Sequence, residues 1–363
     1  MRAPWDIEPI AFEAIPGFDS DDLDAAFAAF KRSAAHLAEL KPAQRPAASP
    51  PAALILAARA ALGGDVGGGA FFRRWFRPCR IPGKGFVTAY YEPEVEARLA
   101  PEPGFETPAL SRPPDLVTLN RTPLPIFDHD VVTSARRLAD GTLVPYPTRR
   151  EIELAGAATG SVPLVYVSDP VELFLIQVQG SARLRLPDGT TRALTYDGRN
   201  GWPYTSIGRL MIERGLAPES EMSLERLKAT LREMGVGPNQ PGRRLMQENQ
   251  SYVFFRLDNS DDRRLGPVGG EGVGLTPLRS IAVDRSIWSY GLPFWIATSV
   301  PWEGEAETRF ERLMIAQDTG SAILDAARAD LFFGTGAQAG SLAGRVRHPA
   351  DFIVFLPREG AAQ

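Results

Sequence analysis

The stretch that decides the reading runs Arg312-Leu313-Met314-Ile315-Ala316-Gln317-Asp318-Thr319-Gly320 and resumes at Asp330-Leu331-Phe332-Phe333-Gly334. A short apolar run halted by Asp-Thr-Gly reads as a buried strand ending in a turn, which puts Asp318 at the strand end. Asp330 is followed at once by apolar residues. A carboxyl in such company loses hydration, so its charged form is disfavoured and it can hold a proton near neutral pH. Asp284, directly after Ser280-Ile281-Ala282-Val283, is a third carboxyl in the same kind of place. Cleavage of a glycosidic bond needs a carboxyl that protonates the leaving oxygen inside a groove that grips sugar rings. Asp330 and Asp318 are therefore candidate acid–base residues. Spacing alone leaves a plainer reading open, since an aspartate at a strand end is commonly a turn or capping residue.

Outward from this stretch the C-terminal third reads as short strands over 251–257, 279–283, 293–298, 312–317 and 352–356. Such spacing predicts a barrel. Upstream, Phe86-Val87-Thr88-Ala89-Tyr90-Tyr91 is a β-branched and aromatic run stopped by Pro93, and 131–134, 163–167, 172–179, 182–187 and 191–196 read the same way. Pro187-Asp188-Gly189-Thr190 is a hairpin turn between the last two. The chain start reads as helical. Leu23, Phe27, Phe30, Ala34 and Leu37 recur at steps of three and four, with Ser20 as the expected N-cap and Pro42 and Pro46 beyond the end. Further helices are expected over 52–62, 71–76 and 206–214, and on Leu224, Leu227, Leu231 and Met234. The runs Pro101-Glu102-Pro103-Gly104 and Pro238-Asn239-Gln240-Pro241-Gly242 bound a middle section. The expected organisation is a domain over 103–245 inserted into a larger one made of 1–102 and 246–363.

Composition narrows the function. With 363 residues, 44% hydrophobic and 23% charged, the chain is long enough for two cores. A net charge of −4 argues against a nucleic-acid binder. Cys79 is the single cysteine, and His36, His129 and His348 lack metal-ligand spacing, which speaks against a zinc site, a disulfide or a Ser-His-Asp hydrolase. No metal and no cofactor is expected. Gly334-Thr335-Gly336 and Gly269-Gly270-Glu271-Gly272-Val273-Gly274 fit neither a dinucleotide fingerprint nor a P-loop. They read as loops where backbone approaches a ligand or another strand. No run nears the ~20 apolar residues that span a bilayer. Met1 to Glu8 shows no signal-peptide pattern, so either a cytosolic site or an export segment outside this stretch is expected. Trp202 and Tyr204, in a loop beside Gly201 and Pro203, suit sugar stacking better than Trp75 on its helix.

Several long stretches, in order, resemble the membrane-bound lytic murein transglycosylase A family. They are Thr88 to Pro93, Asp169-Pro170, Phe174 to Leu184, Asn249 to Phe255, Gly274 to Asp284, and the block from Asp318 to Gly334. The likeness spans roughly residues 70–357. Asp284, Asp318 and Asp330 look like the aspartates that name the family's 3D domain. The resemblance implies a mainly β chain: a double-psi β-barrel built from both chain ends, a smaller inserted β-barrel, and a groove for a glycan strand. It implies that Asp330 is the catalytic acid and base and that Asp318 supports it. Thr88, Tyr90, Glu92, Gln177, Gln179, Ser181 and Asp284 are the implied substrate-binding positions. The implied reaction is cleavage of the β-1,4 bond between N-acetylmuramic acid and N-acetylglucosamine with 1,6-anhydro ring closure. Peptidoglycan glycan strands are the implied partner, with cell-wall enzyme complexes beyond them, and a monomer in the periplasm or at the outer membrane is expected. Two other readings stay open: a murein hydrolase using both Asp318 and Asp330, and a non-catalytic peptidoglycan-binding module.

Overall fold

The computed structural model describes residues 7–64, 66–119, 133–155, 160–258 and 265–360. His129, the chain start through Asp6 and the first half of the strand expected over 131–134 lie outside them, and the strand observed next is Ser134–Arg137. Contacts divide the chain into two compact units. One combines Met1–Tyr91, Arg263–Gly334 and Gln338–Gln363; the other combines Glu92–Asp262 and Thr335–Ala337. The division thus falls outside the 103 and 245 suggested by the Pro/Gly runs. The reason is strand pairing. Glu94–Glu96 runs parallel to Ser181–Arg185, and Val253–Asp258 pairs with Thr191–Arg199, so both flanks belong to the sheet of the second unit.

In the first unit six strands close into a barrel. Its order is Gly85–Glu92, Arg328–Thr335, Ser280–Val283, Thr308–Asp318, Pro293–Val300 and Arg347–Pro357, which returns to Gly85–Glu92. The Ser280–Val283 and Thr308–Asp318 pair is parallel, and Pro293–Val300 is antiparallel to Thr308–Asp318. Leu313 through Asp318 are all buried, without the in–out alternation of a half-solvated strand. The cause is a helix, Leu23–Ala38, laid against that strand's outer face, where Gln317 Nε2 donates to Ala29 O at 3.0 Å and to Ser33 Oγ at 2.9 Å. Phe27, Phe30, Ala34 and Leu37 of the helix are buried, as their spacing predicts.

The N-cap differs from expectation. It is Asp22, whose Oδ1 accepts from Ala25 N at 3.0 Å, because Ser20 closes a preceding 3-10 turn, Phe18–Ser20. The helix Ala52–Leu62 forms over the expected range and is capped by Gly63. The third helix, Gly68–Trp75, begins three residues early, since Asp24 Oδ1 accepts from Gly68 N at 2.7 Å. A Cβ at position 68 would stand 2.2 Å from Leu23 O, so this contact needs glycine. Arg328–Thr335, the strand that carries Asp330, has no counterpart among the expected strands; its polar Arg328, Asp330 and Thr335 break the apolar run by which strands were read.

The second unit holds a sheet ordered Val253–Asp258, Thr191–Arg199, Ser181–Arg185, Glu94–Glu96 and a pair Thr107–Leu110 with Pro163–Val167. Bridges Arg98–Tyr166 and Ser111–Phe255 join the two, so these six segments form a small closed barrel around Val165, Ala182, Leu184, Leu194 and Phe255. The segment 172–179, expected as a strand, is instead the helix Pro170–Gln179. Its start and stop marks outweigh its continuous apolar run. Asp169 Oδ1 caps Val171 N and Glu172 N, Pro170 fixes the first turn, and Gly180 ends it at φ +85°. Both sides of the helix pack into core, which hides the amphipathic pattern. Helices Ile207–Glu213 and Leu224–Glu233 form where expected, and a further one, Pro241–Gln247, starts at the end of the Pro/Gly-rich run 238–242. Among the described residues, no helix is long and apolar enough to cross a membrane.

Candidate active site

Neighbouring strands of the first barrel build the site as three rungs. Residues two apart on a strand share a face. Phe86, Thr88 and Tyr90 therefore stand in one row, and Arg328, Asp330 and Phe332 in the next. Contacts tie the rows together. The Arg328 guanidinium lies 5.5 Å from the Phe86 ring centroid, Thr88 Oγ1 donates to Asp330 Oδ1 at 2.5 Å, and the Tyr90 and Phe332 rings are 5.3 Å apart. The rungs run from surface to core. Phe86 is 42% exposed, Thr88 and Asp330 are half-buried, and Phe332 is fully buried.

Asp330 has a raised pKa of about 6. Burial is the main cause, and the negative Asp318 adds to it, while the Thr88 hydroxyl and the Arg328 cation oppose it. The same environment reaches Tyr90, whose phenol is pushed well up by burial and by both aspartates. Tyr90 therefore stays a donor, and its hydroxyl donates to Asp318 Oδ2 at 2.9 Å.

Asp318 is engaged differently. Its Oδ1 accepts from Arg45 Nη2 at 2.5 Å, Gly270 N at 2.7 Å and Thr319 N at 2.8 Å. With Tyr90, four donors hold this one carboxylate. Gly270 belongs to the glycine-rich run read as a loop of close backbone approach: a Cβ on Gly269 would stand 2.5 Å from Gln317 O. Arg45 also donates to Thr319 O at 2.8 Å, and its own carbonyl accepts from Tyr290 Oη at 3.0 Å. Next in the loop, Glu271 is buried with its Oε2 accepting from Ser33 Oγ at 2.6 Å, and burial raises its pKa to about 8.

Asp284 serves the backbone. Its Oδ1 accepts from Ser286 N at 2.8 Å and its Oδ2 from Asp325 N at 3.0 Å, which ties down the loop that enters the Asp330 strand. Both of its carboxyl oxygens thus accept from backbone amides. Tyr90 is likewise turned to Asp318. Glu92 is buried, accepts from Thr335 Oγ1 at 2.7 Å and pairs with Arg183 at 3.2 Å. Gln177 is buried as a strut, accepting from Arg149 Nη1 and donating to Val253 O. Ser181 is buried on its strand opposite Thr195, and Gln179 is half-buried at the helix end. Of the implied substrate positions, Thr88 touches Asp330, and it does so as a hydrogen-bond donor. Trp202 is held by a bond from its Nε1 to Tyr146 O at 2.7 Å, and Tyr204 is 38% exposed. Sequence reasoning missed Arg45, Arg328 and Glu271. Arg328 had a signal, standing two residues before Asp330 on a strand; Arg45 had none, since it lies 273 positions from its partner. Among the described residues, no cluster of three or more His, Cys, Asp or Glu could hold a metal ion.

Comparison with known proteins agrees with this architecture. Residues 86–256 match the MltA specific insert domain and residues 279–356 match the 3D domain. The chain is similar to the curated membrane-bound lytic murein transglycosylase A of Vibrio cholerae, 31% identical over 283 residues that cover 73% of this chain and 64% of that protein. It is similar to a solved membrane-bound lytic murein transglycosylase from Agrobacterium tumefaciens, with 34% identity, a TM-score of 0.84, and coverage of 97% of this chain and 98% of that one. MltA from Neisseria gonorrhoeae has a TM-score of 0.77 at 27% identity, covering 97% of this chain and 92% of that one. Fold and site together define a double-psi β-barrel protein with a 3D domain and an inserted second barrel. More narrowly, the chain belongs to the membrane-bound lytic murein transglycosylase A family. The matched part spans 64% of the length of the Vibrio relative.

Proposed function

We propose that this protein is a peptidoglycan lytic transglycosylase of the cell envelope, acting on glycan strands as a monomer with Asp330 as its single acid and base. Family membership supports the reaction class, and the observation that carries the residue assignment is a half-buried carboxyl with a pKa raised to about 6. At pH 7 roughly a tenth of such a group is protonated, against less than a thousandth for an ordinary aspartate.

The chemistry follows from the hydrogen-bond directions. Arg328 Nη2 donates to Thr88 Oγ1 at 2.7 Å, and a guanidinium cannot accept. The threonine's own hydrogen is then free to serve Asp330 Oδ1, which leaves Oδ2 for the transferable proton. Asp330 gives this proton to the oxygen that leaves as O4 of N-acetylglucosamine while the C1–O4 bond of the muramyl residue breaks. The resulting carboxylate takes the proton from the muramyl C6 hydroxyl. O6 bonds to C1 and closes the 1,6-anhydro ring, so Asp330 ends protonated as it began. An intramolecular nucleophile has a high effective concentration and needs no second carboxylate. Hydrolysis by a second carboxylate would fall to Asp318, whose charge acts on Asp330, and that carboxylate already accepts from four donors.

Mass analysis of murein digested by the purified protein tests the reading. Anhydromuramic ends are expected. Reducing muramic ends would mean that water attacked, and binding without release of soluble muropeptides would leave a binding module.

A further inference from the structure

We propose that Arg328 is a positioning residue for the acid: by donating to Thr88 Oγ1 it turns the threonine hydroxyl onto Asp330 Oδ1 and so fixes which oxygen carries the proton. The inference rests on the reading of Asp330 as the acid.

Four observations carry it. Arg328 and Asp330 stand two apart on one strand, on one face, with Thr88 opposite. Arg328 bonds Thr88 through Nη2 and the Ala329 carbonyl through Nη1, so the guanidinium is held at two corners rather than free to wander. The Phe86 ring lies beside it at 5.5 Å and limits its remaining motion. Thr88 has a single hydrogen to give, and with Arg328 filling one of its lone pairs that hydrogen goes to Asp330. Without Arg328 the hydroxyl is free to rotate, Oδ1 loses its donor for part of the time, and the proton spreads over both carboxyl oxygens. Only one of these faces the leaving oxygen in a given substrate pose, so the acid is mispositioned by a rotamer rather than removed. The charges facing Asp330 are Arg328 on its own strand and Asp318 on the Thr308–Asp318 strand, the latter held by Arg45; Tyr90 on the Gly85–Glu92 strand is the neutral titratable neighbour.

Rates on murein as a function of pH, for wild type, Arg328→Gln, Arg328→Lys, Thr88→Val, Thr88→Ser and the double variant R328Q/T88V, test the relay. R328Q is expected to lower kcat by roughly 10- to 100-fold with KM nearly unchanged. Because Arg328 opposes protonation of Asp330, its loss raises the acid's pKa, and the alkaline limb of kcat moves to higher pH. R328K keeps the charge and holds the limb in place while recovering part of kcat. T88S, which keeps the hydroxyl, recovers most of what T88V loses. The double variant falls no further than T88V, since Arg328 acts through Thr88. A loss confined to KM would overturn the proposal and make Arg328 a substrate contact; so would a double variant showing the product of the two single losses. Asp330→Asn is measured alongside. Activity retained in D330N sinks the acid assignment itself, whereas an inactive D330N with an unaffected R328Q sinks the relay alone.

Discussion

Two charged residues, Arg149 in the second unit and Asp330 in the first, are served in opposite ways. In the second unit Arg149 is 2% exposed and fully served: Nε donates to Asn249 O at 2.9 Å, Nη2 to Ser251 O at 2.6 Å and Nη1 to Gln177 Oε1 at 2.5 Å, with Glu153 at 3.5 Å. Its guanidinium also faces the rings of Phe174 at 4.8 Å and Tyr252 at 5.3 Å. In the first unit Asp330 has one hydroxyl on one oxygen and a surroundings that raises its pKa. A saturated buried charge stabilises a packing arrangement, whereas an under-served one stores reactivity. The contrast separates structural from functional polar residues more sharply than burial does.

The largest effect is expected where the under-served group is removed. Asp330→Asn should cost activity by roughly 10³-fold or more, within the range of a lost general acid, while a thermal melt stays within a few degrees of wild type. Arg149→Met inverts the pattern. It strands the acceptors on Asn249, Ser251 and Gln177, and urea melts should show a loss of about 3–5 kcal/mol with kcat of the folded protein near wild type. Gln177→Ala removes one strut of the same network and should cost about 1–2 kcal/mol by the same melts, again with kcat preserved. A collapse of kcat at native stability in the Gln177 variant would return that residue to the substrate contacts implied by resemblance, and would blur the comparison.

The sequence carries much of this fold in residues with local marks. The Leu23–Ala38 helix shows in its apolar spacing, and the hairpin at Asp188-Gly189 forms with Gly189 at φ +81° and Asp188 Oδ1 accepting from Thr190. What escaped has a common cause: burial on both faces removes periodicity. That is why Pro170–Gln179 reads as a strand, and why its caps, Asp169 and Gly180, were the better guide. Arg328–Thr335 escaped for the reverse reason, since its functional polar residues interrupt the apolar run. At the site, the apolar neighbours Leu331 and Phe332 made the character of Asp330 legible, and both are fully buried. The roles of Asp318 and Asp284 were not legible. Their partners, Arg45, Gly270 and Asp325, are set by tertiary packing across tens to hundreds of residues.

The claim on which the rest depends is that the Asp330 carboxyl keeps a proton far above the ordinary range for aspartate. Carbon-13 NMR titration of the aspartate carboxyls, with the Asp330 resonance assigned by its disappearance in D330N, measures this directly. A midpoint of about 6 is expected; a midpoint near the unperturbed 3.8 would contradict the account, whatever activity the protein shows.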